Sequence, residues 1–476
     1  MSKMCCPPST GNSRYDLAVI GAGSAGFSAA ITAADQGAQV ALIGHGTIGG
    51  TCVNVGCVPS KALIRAAEAI HHANSASRFA GVAATGQIKD WAALRTQKDE
   101  LVTALRQAKY IDLLPAYNGV AYLEGKAHLE NGGVLVDGKH IDAGKIIVAT
   151  ESHEFVPPIP GIGNVPYLTS TSAFEMESLP ESMIVIGGGY IGCELAQMFA
   201  RLGVKVTIVF RSRLLPESEP EIGEALAGYF VEEGVAVQRV GGYENIGASD
   251  SGIALSVTID GAAETLEAQK IMFSAGRKAN TDGLGLEEAG VNLLPNGGIK
   301  VDDRMRTTKP GVYAAGDVTG CDQFVYMAAY GAKIAANNAL NGDGRSYDNH
   351  AMPAVVFTDP QVASVGLTEA AARTQGVDIK TSILTLDNVP RALAARDTRG
   401  LIKLVADSAT DKLIGAHIIA PEGADSIQTA ALAIKQGMTY GELGDMIFPY
   451  LTTVEGLKLA AQTFDMDVSK LSCCAG

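Results

Sequence analysis

A chain of 476 residues is longer than one hydrophobic core supports, so about two to four domains are expected. Its 55 glycines and 47% hydrophobic content favour an α/β architecture, whose buried parallel strands read as apolar runs and whose turns need glycine. A formal net charge of −14 argues against nucleic acid and anionic membrane surfaces as partners.

The leading residues 1–14 carry Pro7, Pro8 and Gly11 without an apolar stretch, which reads as a disordered leader rather than a secretory signal. A cytoplasmic location is expected, where the 8 cysteines stay mostly reduced and a functional disulfide is catalytic rather than structural. Residues 17–34 are uncharged over the length of a membrane span, but Gly21, Gly23 and Gly26 break them with a nucleotide-loop pattern, so no stable membrane insertion is expected.

Residues 15–20 form an apolar strand that runs through Gly21-Ala-Gly23-Ser-Ala-Gly26 into an Ala-rich helix ending near Gln36, and residues 39–43 supply the next strand. Residues 90–110 are amphipathic at helical spacing. Short strands follow between 120 and 147, with hairpin turns at Asn131-Gly132-Gly133 and Asp137-Gly138. The pattern then repeats: strand 183–186, Gly187-Gly-Gly189-Tyr-Ile-Gly192, helix 193–202 and strand 205–209. Residues 311–317 read as a strand ending in a Gly-Asp turn before another Ala-rich helix, a return to the first nucleotide domain. Beyond 346, strands near 403–405 and 414–419 and helices near 425–436 and 454–463 read as an α+β interface domain.

A lone G-x-G-x-x-G also marks ordinary turns, but both copies follow a strand and open a helix, so two dinucleotide sites are implied. The glycines admit a pyrophosphate to the positive helix end. The first site counts Gly21, Gly23 and Gly26, and the second Gly187, Gly189, Gly192 and Gly276. An acidic residue at the end of the second strand, the usual ribose contact, is missing from both. Gly44 stands there in the first, and Phe210 in the second, followed by Arg211 and Arg213, which suit a 2′-phosphate and favour NADPH.

Cys52 and Cys57 lie just past the first glycine turn, separated by Asn54 and Gly56, which tolerate the unusual backbone angles a disulfide loop needs. Pro59 suits the first turn of a following helix, so the thiols sit at a helix N-terminus beside Lys61, where a lowered thiol pKa is expected. Lys61 is disfavoured there by the helix dipole, which points to a role other than local stability. A structural zinc site needs about four ligands, and His45, His71 and His72 lack the spacing. Cys473 and Cys474 form a second pair near the chain end, and thiolates select soft cations. Cys193 and Cys321 read as incidental thiols, and no role is assigned to Cys5 and Cys6.

The two glycine turns, Gly49-Gly50-Thr51-Cys52-Val-Asn-Val-Gly-Cys57-Val-Pro-Ser-Lys61 and Ala315-Gly-Asp317 together resemble the flavin-dependent pyridine nucleotide disulfide oxidoreductases over nearly everything after Arg14. The resemblance implies two Rossmann-like domains, for FAD and NADPH, with a C-terminal α+β dimerisation domain. The expected division is FAD-binding 15–155 and 279–345, NADPH-binding 156–278, and dimerisation 346–476 with the Cys-Cys tail. By the same resemblance Cys57 faces the flavin, Cys52 is the interchange thiol, and Lys61 pairs with Glu194 near the flavin's reactive nitrogen. Gly50, Thr51 and Asp317 join the flavin site, and Tyr190 gates the nicotinamide.

Disulfide-reducing members carry His-Pro-Thr-x-x-Glu, whose histidine protonates the leaving thiolate. This chain reads Tyr450-Leu-Thr-Thr-Val-Glu455, and no histidine follows His417. The segment Phe448-Pro449-Tyr450-Leu-Thr and the end Ser472-Cys473-Cys474-Ala-Gly476 resemble the Hg(II)-reducing branch, without the small metallochaperone domain that begins many of its members. That implies Hg(II) as substrate, Tyr110 and Tyr450 along the metal path, Cys52, Cys57, Cys473 and Cys474 as metal ligands, and a homodimer in which each tail serves its partner's active site. Two positions depart from the pattern: Gly44, and Glu151 where the family has glycine. A disulfide reductase and a thiol metal-sequestering protein are the alternatives.

Overall fold

The computed structural model describes residues 14–130 and 133–470. The tail thiols Cys473 and Cys474, the pair Cys5 and Cys6, and the Asn131-Gly132 turn lie outside the described residues. The chain divides into two compact units: residues up to Val58 with Asp99–His153 and Arg277–Tyr347, and Pro59–Lys98 with Glu154–Gly276 and everything from Asp348.

The first unit is built on a five-stranded parallel sheet in the order Val312–Ala314, Ala143–Val148, Tyr15–Ile20, Val40–Gly44, Val120–Glu124. Its central strand reads Leu17-Ala-Val-Ile20 as a continuous apolar run because both faces are covered, and all four residues are buried. One face is covered by the helices Ser24–Ala34 and Val325–Asn341, whose Gly and Ala residues let them pack closely; Ser28 Oγ donates to Ala329 O at 2.9 Å. The strand Val312–Ala314 joins this sheet although some 160 residues separate it from its neighbour Ala143–Val148. A three-stranded antiparallel sheet, Ala127–Glu130, Gly133–Val136 and Lys139–Ile141, turns at Asp137 and Gly138, both at positive φ. The helix Trp91–Arg106 ends in a π turn, Gln107–Ile111, that carries Tyr110.

The second unit repeats the first arrangement in its parallel sheet: Ala236–Arg239, Lys205–Phe210, Ser182–Ile186, Lys270–Phe273, Leu168–Thr169. A three-stranded antiparallel meander follows Gly242–Ser249, Gly252–Ile259 and Ala262–Ala268. An antiparallel sheet ordered Pro353–Val356, Gln361–Gly366, Leu413–Ala420, Leu401–Asp407, Ile379–Thr385 packs against the helices Gly423–Gln436 and Glu455–Gln462.

Both glycine helices begin earlier than the sequence suggested, at Ser24 and Tyr190 rather than at Phe27 and Cys193. The turn and the helix overlap, because the third glycine of each motif is already helical. Gly21 and Gly187 have φ of 119° and 122°, and a Cβ there would meet Ala149 O at 2.1 Å and Ser274 O at 2.2 Å. A Cβ on Gly26 or Gly192 would lie 1.8 or 1.9 Å from the carbonyl of the motif's first glycine. The same two close approaches therefore shape both turns.

Candidate active site

In the first unit the glycine turn opens onto a cavity of about 670 Å³ lined by Gly21, Gly23, Gly50, Thr51, Tyr122 and Glu151, among others. Volume and shape suit a dinucleotide lying across the ends of the parallel strands. Asp317 follows the strand Val312–Ala314; Ser152 Oγ donates to its Oδ2 at 2.8 Å, and Arg277 donates to Ser152 Oγ at 2.8 Å. Glycines that admit a phosphate, the Thr51 donors and the fixed Asp317 carboxylate are a donor and acceptor set that fits FAD. At Gly44 an added Cβ would come within 2.5 Å of the Tyr122 hydroxyl. A phenol on the neighbouring strand thus fills the place where an acidic ribose contact was sought, and Tyr122, which sequence reasoning missed, offers a hydroxyl there.

Cys52 lies in the short helix Gly50–Asn54 and Cys57 is the first residue of the helix Cys57–Asn74, which carries Lys61 one turn further on. The distortion expected at Asn54 and Gly56 falls instead at Gly49 and Gly50, with φ of 101° and 68°. Asn54 acts through its side chain: its amide donates to Ile48 O at 3.0 Å and Gly50 O at 2.8 Å, while its oxygen accepts from Arg106 at 3.0 Å. The loop is thereby clamped around the two thiols.

A lowered thiol pKa was expected, and for Cys52 the structure gives the opposite. A hydrogen bond between the Cys52 and Cys57 side chains pushes the Cys52 thiol far up; burial and the neighbouring Cys57 and Glu151 charges push the same way. Cys57 starts the longer helix, whereas Cys52 sits in the short helix before it, one loop away from that N-terminus.

Tyr110 is no free surface tyrosine. Its hydroxyl is 3.1 Å from Ser24 Oγ, and its ring meets Phe27 edge to face at 4.8 Å. Burial raises its pKa, and the Cys52, Glu151 and Cys57 charges add to the rise, which places the phenol within electrostatic reach of the dithiol.

In the second unit, Lys61 Nζ and Glu194 Oε2 are 2.6 Å apart, and Lys61 also lies 4.9 Å from the centre of the Phe357 ring. Glu194 is on the helix Tyr190–Arg201, which also presents Tyr190, whose pKa burial raises. Past the strand Lys205–Phe210, Arg213 turns its guanidinium onto its own loop, donating to Pro216 O at 2.7 Å and Ser218 O at 2.5 Å. Arg211 lies exposed beside it, with Arg239 Nε on its carbonyl at 3.4 Å. Gly276 has φ of 115° and accepts the Phe155 N–H at 2.9 Å. Tyr450 is 53% exposed, and the buried Glu455 carboxylate accepts the Leu451 N–H at 3.1 Å. Among the described residues, no group of three or more His, Cys, Asp and Glu side chains is placed to hold a metal ion.

Two glycine-turn dinucleotide domains and a dithiol at a helix start define an oxidoreductase that moves electrons between a nicotinamide and a thiol pair. The model of the pyridine nucleotide-disulphide oxidoreductase family matches residues 15–336, and the model of that family's dimerisation domain matches residues 352–461. Mercuric reductase from Streptomyces lividans is 47% identical over 97% of this chain and 98% of its own length; that from Staphylococcus aureus is 46% identical over 97% and 84%. Among solved structures, the HOCl-induced flavoprotein disulfide reductase RclA from Escherichia coli, in its Cu(II) complex, is 31% identical with a TM-score of 0.83, covering 95% of this chain and 99% of that one. LpdA from Mycobacterium tuberculosis is 26% identical with a TM-score of 0.83, covering 94% and 99%. The chain belongs to the pyridine nucleotide-disulphide oxidoreductases and, within them, to the mercuric reductase family.

Proposed function

We propose that the chain catalyses NADPH + Hg(II) → NADP⁺ + H⁺ + Hg(0), with FAD and the Cys52/Cys57 dithiol between the two substrates. The observation that carries this reading is the hydrogen-bonded Cys52/Cys57 pair just past the dinucleotide turn. When bound, FAD takes the hydride of NADPH and releases its electron pair to the thiol side. Gly21, Gly23, Gly26, Gly50, Thr51 and Asp317 hold it, and Gly187, Gly189, Gly192, Gly276 and Arg211 hold NADPH, with Tyr190 over the nicotinamide.

Soft thiolates capture Hg(II) by ligand exchange. Cys473 and Cys474 receive the ion and pass it to Cys52 and Cys57, releasing their protons as each sulfur–mercury bond forms; Tyr110 and Tyr450 line the transfer. Once the ion has gained two electrons, no charge remains for the thiolates to hold, and Hg(0) leaves. The chain acts as a homodimer in the cytoplasm, each tail serving the partner's site. The matched dimerisation region supports the dimer, and no described helix is long and apolar enough to cross a membrane.

Tyr450 in place of a histidine favours a metal ion over a disulfide, because a phenol is a poor proton source for a leaving thiolate near neutral pH. The test is NADPH oxidation by purified protein with Hg(II) and excess small thiol, then with oxidised glutathione, while volatile mercury is trapped. Mercury-dependent oxidation with Hg(0) release is expected; turnover of the disulfide alone would overturn the reading.

A further inference from the structure

Glu151 follows the strand Ala143–Val148 at the mouth of the cofactor cavity with φ of 66°, a left-handed conformation in which glycine is unstrained. Its Oε2 accepts both Thr51 donors, the backbone N–H at 3.0 Å and the hydroxyl at 2.7 Å. Its Oε1 lies 1.8 Å from where a Cβ on Gly23 would stand and 2.0 Å from one on Gly50. The carboxylate therefore rests in the space that the missing side chains of Gly23 and Gly50 leave open. That is the space through which a glycine turn lets a pyrophosphate reach the backbone. Thr51 presents an N–H and an O–H to one anion, and the chain supplies that anion from within.

The surroundings do not make this a resting place for charge. Arg277 is the cation that acts on Glu151, and it is engaged by Ser152 Oγ, by Ser152 O at 2.6 Å and by Asp317 at 4.0 Å. Burial disfavours the charged carboxylate, the Thr51 bonds oppose that, and Asp317 adds repulsion. A carboxylate that among the described residues is hydrogen-bonded only by the two Thr51 donors, on a strained backbone, is displaceable by a ligand that satisfies the same donors with a permanent charge.

We infer that Glu151 is a built-in competitor for the cofactor's pyrophosphate, holding the Thr51 donors and the floor of the glycine turn in the flavin-free chain and leaving them when FAD binds. The inference rests on FAD being the cofactor of this cavity. FAD then binds this chain more weakly than the cavity alone would allow, and the flavin-free form keeps its donors satisfied.

The experiment is a titration of the full-length protein, stripped of flavin, with FAD and with riboflavin, followed by quenching of flavin fluorescence, for the native chain, Glu151→Gly and Glu151→Gln. Glu151→Gly is expected to bind FAD at least tenfold more tightly, with Glu151→Gln between it and the native chain. Riboflavin, which has no phosphate, is expected to bind all three alike. Circular dichroism of the stripped proteins checks that each is folded, and the isosteric Glu151→Gln carries the comparison if the glycine variant is not. FAD binding in folded variants that is unchanged or weaker would overturn the inference, as would an equal gain for riboflavin. Failure of every form, native included, to bind FAD would instead overturn the cofactor reading on which it rests.

Discussion

Lys61 Nζ stands 2.6 Å from Glu194 Oε2, while Glu194 Oε1 accepts the Phe357 N–H at 2.9 Å. Glu194 is 5% exposed, so its carboxylate depends on these two partners. Lys61→Met leaves a buried acceptor without its cation, a loss expected to cost about 1–3 kcal/mol. Glu194→Gln, which keeps the Phe357 bond and the shape, should cost less. Urea unfolding midpoints of the two variants check the order; a Lys61→Met midpoint equal to the native one would mean that water replaces the lysine without loss.

The dithiol makes a prediction with a definite sign. The leading cause of the raised Cys52 pKa is its side-chain hydrogen bond with Cys57, so Cys57→Ser is expected to bring the Cys52 pKa down. Alkylation by iodoacetamide follows the thiolate fraction. At a fixed pH near neutrality Cys52 should therefore react faster in the Cys57→Ser protein than in the reduced native protein, with the midpoint of its pH–rate profile moved to lower pH. A slower or unchanged rate would show that burial, and not the partner thiol, governs Cys52.

Much of this site was legible because its chemistry is local. Glycine turns between an apolar strand and a helix, and two cysteines before a proline-led helix, need only short-range geometry to be recognised. What sequence concealed is long-range: Glu151 and Thr51 are a hundred positions apart, and only the strand register brings the carboxylate onto the turn. Tyr122 over Gly44 depends on the parallel pairing of Val120–Glu124 with Val40–Gly44. The misplaced distortion in the thiol loop has the same origin. Asn54 and Gly56 are conformationally permissive residues, but the turn is taken at Gly49 and Gly50, where the chain passes Val53 and Gly23.

The nicotinamide site separates two arginines that look alike in sequence. Arg213 is spent on Pro216 O and Ser218 O, so Arg211 is the one left to meet a 2′-phosphate. Arg211→Ala is expected to raise KM for NADPH roughly tenfold, the worth of one charge-assisted contact of about 1.4 kcal/mol, with little change for NADH. Arg213→Ala should raise KM for both nucleotides, since it loosens the loop rather than the phosphate. Steady-state kinetics with the two nucleotides decides; equal loss for both nucleotides in Arg211→Ala would remove it from the specificity.

A cationic centre in the antiparallel sheet yields the clearest pH prediction. Lys403, with its side chain 2% exposed, reaches Glu219 at 3.0 Å, Glu221 at 2.9 Å and Glu369 at 3.0 Å. Burial disfavours its charge, but the three carboxylate bonds outweigh it and raise its pKa. Burial pushes Glu221 up, but the Lys403 bond, its own backbone N–H and the Lys403 charge together hold it below its ordinary 4.5, and Glu369 is lowered by Arg373 and then Lys403. His417, beside Glu219 at 3.8 Å, is driven towards its neutral form by burial, so it supplies no second cation. Carboxylates with lowered folded pKa stabilise above their unfolded value, and that stability drains away as pH falls through the folded one. Native stability is thus expected to drop on acidification below about 4.5. Lys403→Met strands Glu219, which is fully buried, and Glu221, while Glu369 keeps Arg373, and is expected to cost about 3–5 kcal/mol near neutral pH. With the cation gone, the carboxylates raise one another's pKa, so the variant should regain stability as the pH falls from about 8 to about 5.5, opposite in slope to the native acid response. Urea midpoints of the two proteins across that range measure both slopes; parallel curves would mean that Lys403 is not the charge that keeps these carboxylates ionised.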